Sequence, residues 1–197
     1  MKHIIVILTI CAINLFTSAW LYGQNKDYYS KVEKIRTSEY TYKITYNELV
    51  PQIKVIENAA NIKFHSPWYY KNSNEIVNYE SFSTSAKLEN EEMLYQTIRE
   101  VLSEEELDKI RAAVADSKGS YSEIGMQVVV SVSGYLLELK FYVDESQGYF
   151  FGIHPDKLYQ IEIRYKENLR FSMKQPKSYE ILEYIKGTTV RIDFKKL

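Results

Sequence analysis

The chain has 197 residues, with Lys+Arg 25 against Asp+Glu 26, a formal net charge of −1 and a pI near 6.3. A hydrophobic share of 45% can supply a core and excludes wholesale disorder. The balanced charge, without a Lys/Arg block, excludes general nucleic-acid binding, and only four Pro and seven Gly exclude collagen-like, mucin-like and linker-rich architectures.

Residues 1–23 read as an export signal. Lys2 and His3 make a short basic start, residues 4–16 (IIVILTICAINLF) an apolar core, and Thr17, Ser18, Ala19 and Gly23 the small residues of a cleavage region. Cleavage is expected within 19–24, after Ala19 or after Gly23. The alternative is an anchor that is kept, since residues 4–22 reach the minimum length for a bilayer span. Cys11 is the only cysteine, and Ile10 before it does not fit a lipidation site. A chain starting at Gln24 loses only Lys2 among its charges, which takes the net charge from −1 to −2. It has no cysteine, hence no disulfide, thiolate ligand or Cys nucleophile, and no membrane span is expected after cleavage.

Residues 27–35 are polar and weakly periodic and read as a short helix. Tyr40, Tyr42, Ile44 and Tyr46 alternate with Thr41, Lys43 and Thr45, the period of a half-buried strand. Residues 52–58 (QIKVIEN) read as the next strand, 62–64 as a short third, and 76–82 as an irregular one. Leu94, Ile98 and Val101 share one helical face. A second helix follows, started by the capping box Ser103–Glu106 with Glu104 and Glu105 in its first turn. Leu107, Ile110 and Val114 form its buried stripe.

Residues 126–144 read as a hairpin around a two-residue Ser133–Gly134 turn. That turn sets Val132 opposite Tyr135, Val130 opposite Leu137 and Val128 opposite Leu139 on one apolar face. The other face sets Gln127 against Lys140 and Val129 against Glu138. His154-Pro155-Asp156 opens a helix with Leu158, Ile161, Tyr165 and Leu169 along one face. Residues 169–174 read as a strand closed by Pro176, 179–186 are ambiguous between helix and strand, and 188–194 (TTVRIDF) alternate as the last strand. The fold class is therefore α+β, antiparallel sheet with helices on one face, as a β-rich 24–89 lobe and an α+β 90–197 lobe in one compact domain.

Two resemblances follow. The hairpin, helix and basic-aromatic strand ending in KENLRFSMKQP resemble the C-terminal domain of TonB-type energy-transducing proteins over residues 126–176. They differ from it in lacking a Pro-rich spacer and in continuing into another strand. The LYGQ end of the signal, the YTYKITY strand and the KVIENAANIKF segment resemble small secreted proteins of unknown function from Bacteroidetes. That family implies an exported domain and no particular activity.

Chemistry-bearing motifs are scarce. There is no G-x-S-x-G, H-E-x-x-H, EF-hand loop, G-x-G-x-x-G or Walker loop, so no catalytic residue, metal site or cofactor is assigned. Beyond the signal the histidines are His65, beside a turn, and His154, at a helix start. The candidate ligand-binding residues are Trp68, Tyr69, Tyr70 and Asn72, followed by Asn74 and Glu75 and presented after Pro67. Aromatic faces beside amides stack on sugar rings or anchor protein partners. The expectation is a secreted or periplasmic, non-catalytic binding module for an envelope protein or a glycan. Its alternatives are a secreted hydrolase of glycan or cell-wall material, with a cleft of converging carboxylates or His, and an anchored TonB-like envelope protein.

Overall fold

The computed structural model describes residues 26–77, 86–115, 122–173 and 181–197. The signal segment, the far part of the 76–82 strand and residues 174–180, with Pro176, lie outside them. Strands β1 (Lys34–Arg36), β2 (Thr41–Tyr46), β3 (Ile53–Asn58), β5 (Glu123–Ser131), β6 (Leu136–Asp144) and β8 (Tyr184–Asp193) form one antiparallel sheet. Its order is β1-β2-β3-β6-β5-β8, and β4 (Ala86–Leu88) pairs with β7 (Phe171–Met173) in a second, two-stranded sheet. The helices are α1 (Glu92–Val101), α2 (Glu104–Ala115), the single turn α3 (Gly148–Phe151) and α4 (Pro155–Asn168). The fold is α+β. Pairing of β3 with β6 joins strands of the two expected lobes in one sheet.

Alternation in the sequence becomes rows across the sheet. Ile44, Ile56, Phe141, Met126 and Val190 stand opposite one another on successive strands, and all five are buried. They join the stripes of the helices, Leu94 and Ile98, Leu107 and Ile110, Leu158, Ile161 and Tyr165, in one core. The next row, Lys43, Glu57, Lys140, Gln127 and Thr189, faces the other side of the sheet. Here the period of two assigns core and outer faces. The capping box forms as expected: Ser103 N–H donates to Glu106 Oε2 at 2.8 Å, and Glu106 N–H to Ser103 Oγ at 3.4 Å. Leu102, extended at ψ 145°, makes the elbow between α1 and α2.

Several expectations are corrected. Residues 27–35 are not a helix. The Asp27 carboxylate accepts from the Tyr29 and Ser30 amides at 3.0 and 2.7 Å, which fixes a turn, and β1 follows. Residues 62–64 are a turn rather than a strand, because their amides go elsewhere: Lys63 and Phe64 N–H donate to the two oxygens of Glu138 at 2.9 and 3.1 Å. The β5–β6 register holds from Gln127/Lys140 to Val129/Glu138, then shifts so that Val130 faces Leu136. The turn comprises three residues, Val132 to Gly134, closed by Ser131 N–H to the Tyr135 carbonyl at 2.8 Å. Gly134 takes φ 85°, the left-handed position that ends such a three-residue loop. The last strand begins earlier than expected, at Tyr184, and Phe194 lies in a 3-10 turn (Phe194–Lys196).

The hairpin tip also organises the small sheet. Phe171 N–H donates to the Gly134 carbonyl at 2.9 Å, and Tyr135 bridges Arg170. β7 is thereby docked against the β5–β6 turn and brings β4 with it.

Candidate functional site

Residues 68–77 form a short hairpin against the start of β8, at the hairpin-tip end of the sheet. Val77 N–H donates to the Trp68 carbonyl at 2.8 Å and Tyr70 N–H to the Glu75 carbonyl at 3.1 Å. Tyr69 bridges Ile76 between them. Ser73 N–H closes the turn on the Tyr70 carbonyl at 3.1 Å, with Asn72 at φ 58°, a conformation Asn tolerates. Lys71 N–H donates to the Ile181 carbonyl at 2.6 Å and ties the turn to the approach of β8.

The hairpin has two unlike faces. Trp68 and Val77 are each 5% exposed and pack with Leu182 and Ile185, flanked by Tyr70, Val132 and Met173, in a second small core. The indole Nε1–H donates to the Tyr184 carbonyl at 2.9 Å, and the ring stacks on Tyr184 at 6.4 Å. Alternation turns Tyr69 and Ile76 the other way, and they are 43% and 65% exposed. Of the four candidate residues, Trp68 therefore anchors the hairpin and Tyr70 lies half-buried against the same cluster. Tyr69 and Asn72 are the side chains offered to solvent. Ile76 was missed by sequence reasoning. Its signal was its place opposite Tyr69, which depends on where the turn falls.

Beside this hairpin lies a group of lysines and rings that sequence reasoning also missed. Lys63 Nζ sits over the Tyr184 ring at 4.8 Å, and Lys186 Nζ lies 5.9 Å from the same ring. Lys140 Nζ sits over Phe64 at 4.6 Å. Lys186 also donates to the Ser66 carbonyl at 2.5 Å, two residues before Trp68. Glu138, only 6% exposed, is the carboxylate at the centre, and both of its oxygens are engaged by the Lys63 and Phe64 amides. Burial lowers the pKa of Lys186; Glu138 opposes that shift, and the Lys140 and Lys63 ammoniums add to it.

The remaining singled-out residues have structural partners. His65 Nε2 lies 3.0 Å from Glu57 Oε1. His154 caps α4, its Nδ1 accepting from Asp156 N–H at 3.3 Å. Glu106 serves the capping box and also pairs with Lys157. Ser133 lies in the hairpin turn. Among the described residues no group of three or more His, Cys, Asp or Glu is placed to hold a metal ion, and no helix is long and apolar enough to cross a membrane. Open hollows lie along the β1–β2 edge, about 1180 Å³, and between β4 and β8, about 910 Å³; a smaller one of about 500 Å³ separates α2 from α3.

Together these features define an α+β domain with helices on the inner face of a six-stranded antiparallel sheet and an aromatic hairpin packed against its edge strand β8. In fold it is similar to a DUF5043 family protein from Bacteroides uniformis ATCC 8492, with a TM-score of 0.59 and 15% identity over 84% of this chain and 87% of that one. At that identity the likeness is one of fold, and it meets the expected resemblance to a Bacteroidetes domain of unknown function. No family model matches the chain, and no curated protein does.

Proposed function

We propose that this chain is an exported, non-catalytic binding module of the cell envelope, secreted or periplasmic, whose contact surface is the 68–77 hairpin. The observation that carries the reading is the Tyr69–Ile76 pair. Two large apolar side chains stand exposed and adjacent on a hairpin whose opposite face is locked by Trp68 and Val77. A rigid aromatic-aliphatic pair loses little conformational entropy on binding, which suits it to anchor a partner. Export is supported by the layout of residues 1–23.

The test has two arms. Intact mass of the protein recovered from the periplasm or medium should show cleavage after Ala19 or Gly23; retention of residues 1–23 would overturn export as a free domain. Immobilised wild-type protein should retain an envelope component, a glycan or a protein, that the Tyr69→Ala/Ile76→Ser variant fails to retain. Equal retention by the two proteins would remove the hairpin from the contact surface.

A further inference from the structure

We infer that the free edge of β8 over residues 188–192 takes an extended segment of a partner protein as an added strand, seated in the groove between β8 and β4. The inference stands apart from the hairpin reading, because the groove lies further along β8 than the Tyr184 carbonyl that Trp68 holds.

The two ends of the six-stranded sheet, β1 and β8, differ in how they are finished. β1 is blunt, with three residues and exposed Lys34 and Arg36. β8 has ten residues and pairs on one side only, with β5. The start of its other side is covered, since the Trp68 indole donates to the Tyr184 carbonyl at 2.9 Å. Beyond Gly187, at φ 85°, the cover stops. Among the described residues, none outside β5 hydrogen-bonds the backbone of 188–192. The Thr188 hydroxyl is shut from solvent and has no hydrogen-bond partner among them, so a side-chain polar group at this end of the edge is unsatisfied as well.

The groove beside this stretch, about 910 Å³, is walled by Ala86, Lys87 and Leu88 of β4 and by residues 188–191 of β8. Each strand contributes an unbroken run. A sheet face would offer every second residue, so edges rather than faces form these walls. Among the described strands β4 pairs only with β7, so its second edge is unpaired too. Unpaired N–H and C=O groups spaced along an edge match one ligand above others, an extended backbone with donors and acceptors at the same intervals. The groove also sets the side chains of that ligand. Ala86 and Leu88 are half-buried and pack against the core that holds Val190. An added strand therefore completes their burial with apolar side chains at alternate positions, and leaves polar ones on the side of exposed Thr189. The receiving stretch, TTVRI, is rich in β-branched residues and contains no Pro.

The experiment is amide hydrogen exchange of the full chain with three synthetic peptides of alternating pattern, TVTVTV, DVDVDV and KVKVKV. Each has a twin whose backbone amides are all N-methylated. At least one peptide should slow exchange of those amides in 188–192 that are not bonded to β5, and the best of the three names the polar side chain preferred. Its N-methylated twin should bind at least about tenfold more weakly, since it keeps the side chains and loses the ladder donors. Ala86→Trp, which narrows the groove, should weaken the best peptide by about tenfold, with circular dichroism checking that the variant is folded. The comparison of twins needs no variant. The assignment is overturned by protection of these amides in the chain alone, by no slowing with any of the three peptides, or by equal binding of peptide and twin. Unchanged binding by a folded A86W would remove the groove as the seat. Sedimentation showing a dimer of the chain alone, with these amides protected, would give the edge to a second copy and overturn the partner strand.

Discussion

Tyr42 donates its hydroxyl to Glu162 Oε2 at 2.8 Å and so connects the second strand to the middle of α4 across 120 residues of sequence. Both groups are almost fully buried, and the same carboxylate accepts from Lys166 at 2.7 Å and from Asn58 Nδ2 at 3.4 Å. A strand tyrosine thus completes the shell of a buried helix carboxylate.

Tyr42→Phe keeps the ring and removes that donor. Hydrogen bonds to charged groups contribute about 1.5–3 kcal/mol, so a loss of that size is expected in urea unfolding with an unchanged m-value. A variant as stable as wild type would show that Lys166 and Asn58 satisfy Glu162 without the tyrosine hydroxyl.

Alkaline sensitivity follows from several tyrosines at once. Burial raises the pKa of Tyr29, Tyr42 and Tyr165 well above the usual tyrosine range. Burial also raises Tyr40, helped by its bond to Asp156, and Tyr149, helped by Asp193. In the unfolded chain these hydroxyls ionise near about pH 10. Below that pH both states hold the protons and the full stability is present. Above it the unfolded chain releases protons that the folded chain keeps, so stability falls as pH rises. Tyrosinate absorbance should therefore lag at first and then rise together with loss of the circular dichroism signal. A simple titration of all tyrosines near their ordinary pKa, with the fold intact, would contradict the burial.

Gly134 carries two demands. Its φ of 85° disfavours any side chain, and a Cβ there would strike the carbonyl oxygen of Phe171. The Gly134 carbonyl also accepts the Phe171 amide. Gly134→Ala should cost at least about 2 kcal/mol, because strain and lost docking of β7 coincide. Thermal unfolding checks this, and a melting temperature unchanged from wild type would mean that β7 docks independently of the turn.

Glu106 closes the capping box and also holds Lys157 of α4. Ser103→Ala should cost about 1 kcal/mol, the usual value of a lost N-cap. Glu106→Ala should cost more, since it removes both the box and the tie between helices. A double-mutant cycle of Glu106→Ala with Lys157→Ala measures the second part, and a coupling of zero would confine Glu106 to its own helix.

Sequence by itself determined the elements whose physics is local. The alternation of Tyr40 to Tyr46, the stripe through Leu107, Ile110 and Val114, and the Ser103–Glu106 box each depend on neighbours a few residues away. The β5–β6 ladder was legible as far as Val129, because one apolar face permits only one register. Its turn was not, because Val132, Ser133 and Gly134 suit a two-residue turn or a three-residue turn, and docking of Phe171 on Gly134 selects the second. The same limit applies to the surface. WYY reads as a run of binding aromatics, yet hairpin alternation and the carbonyl of Tyr184 draw Trp68 inward and leave Tyr69 and Ile76 outside. Lys63, Lys140 and Lys186 are far apart in the chain. They meet only because the Glu138 carboxylate folds the 59–66 loop onto β6 and the bulged β5–β8 pairing sets Tyr184 beside it. Side chains brought together by long-range pairing leave no periodicity or spacing in the sequence, so tertiary structure alone decided where this protein's charge and aromatic surface gather.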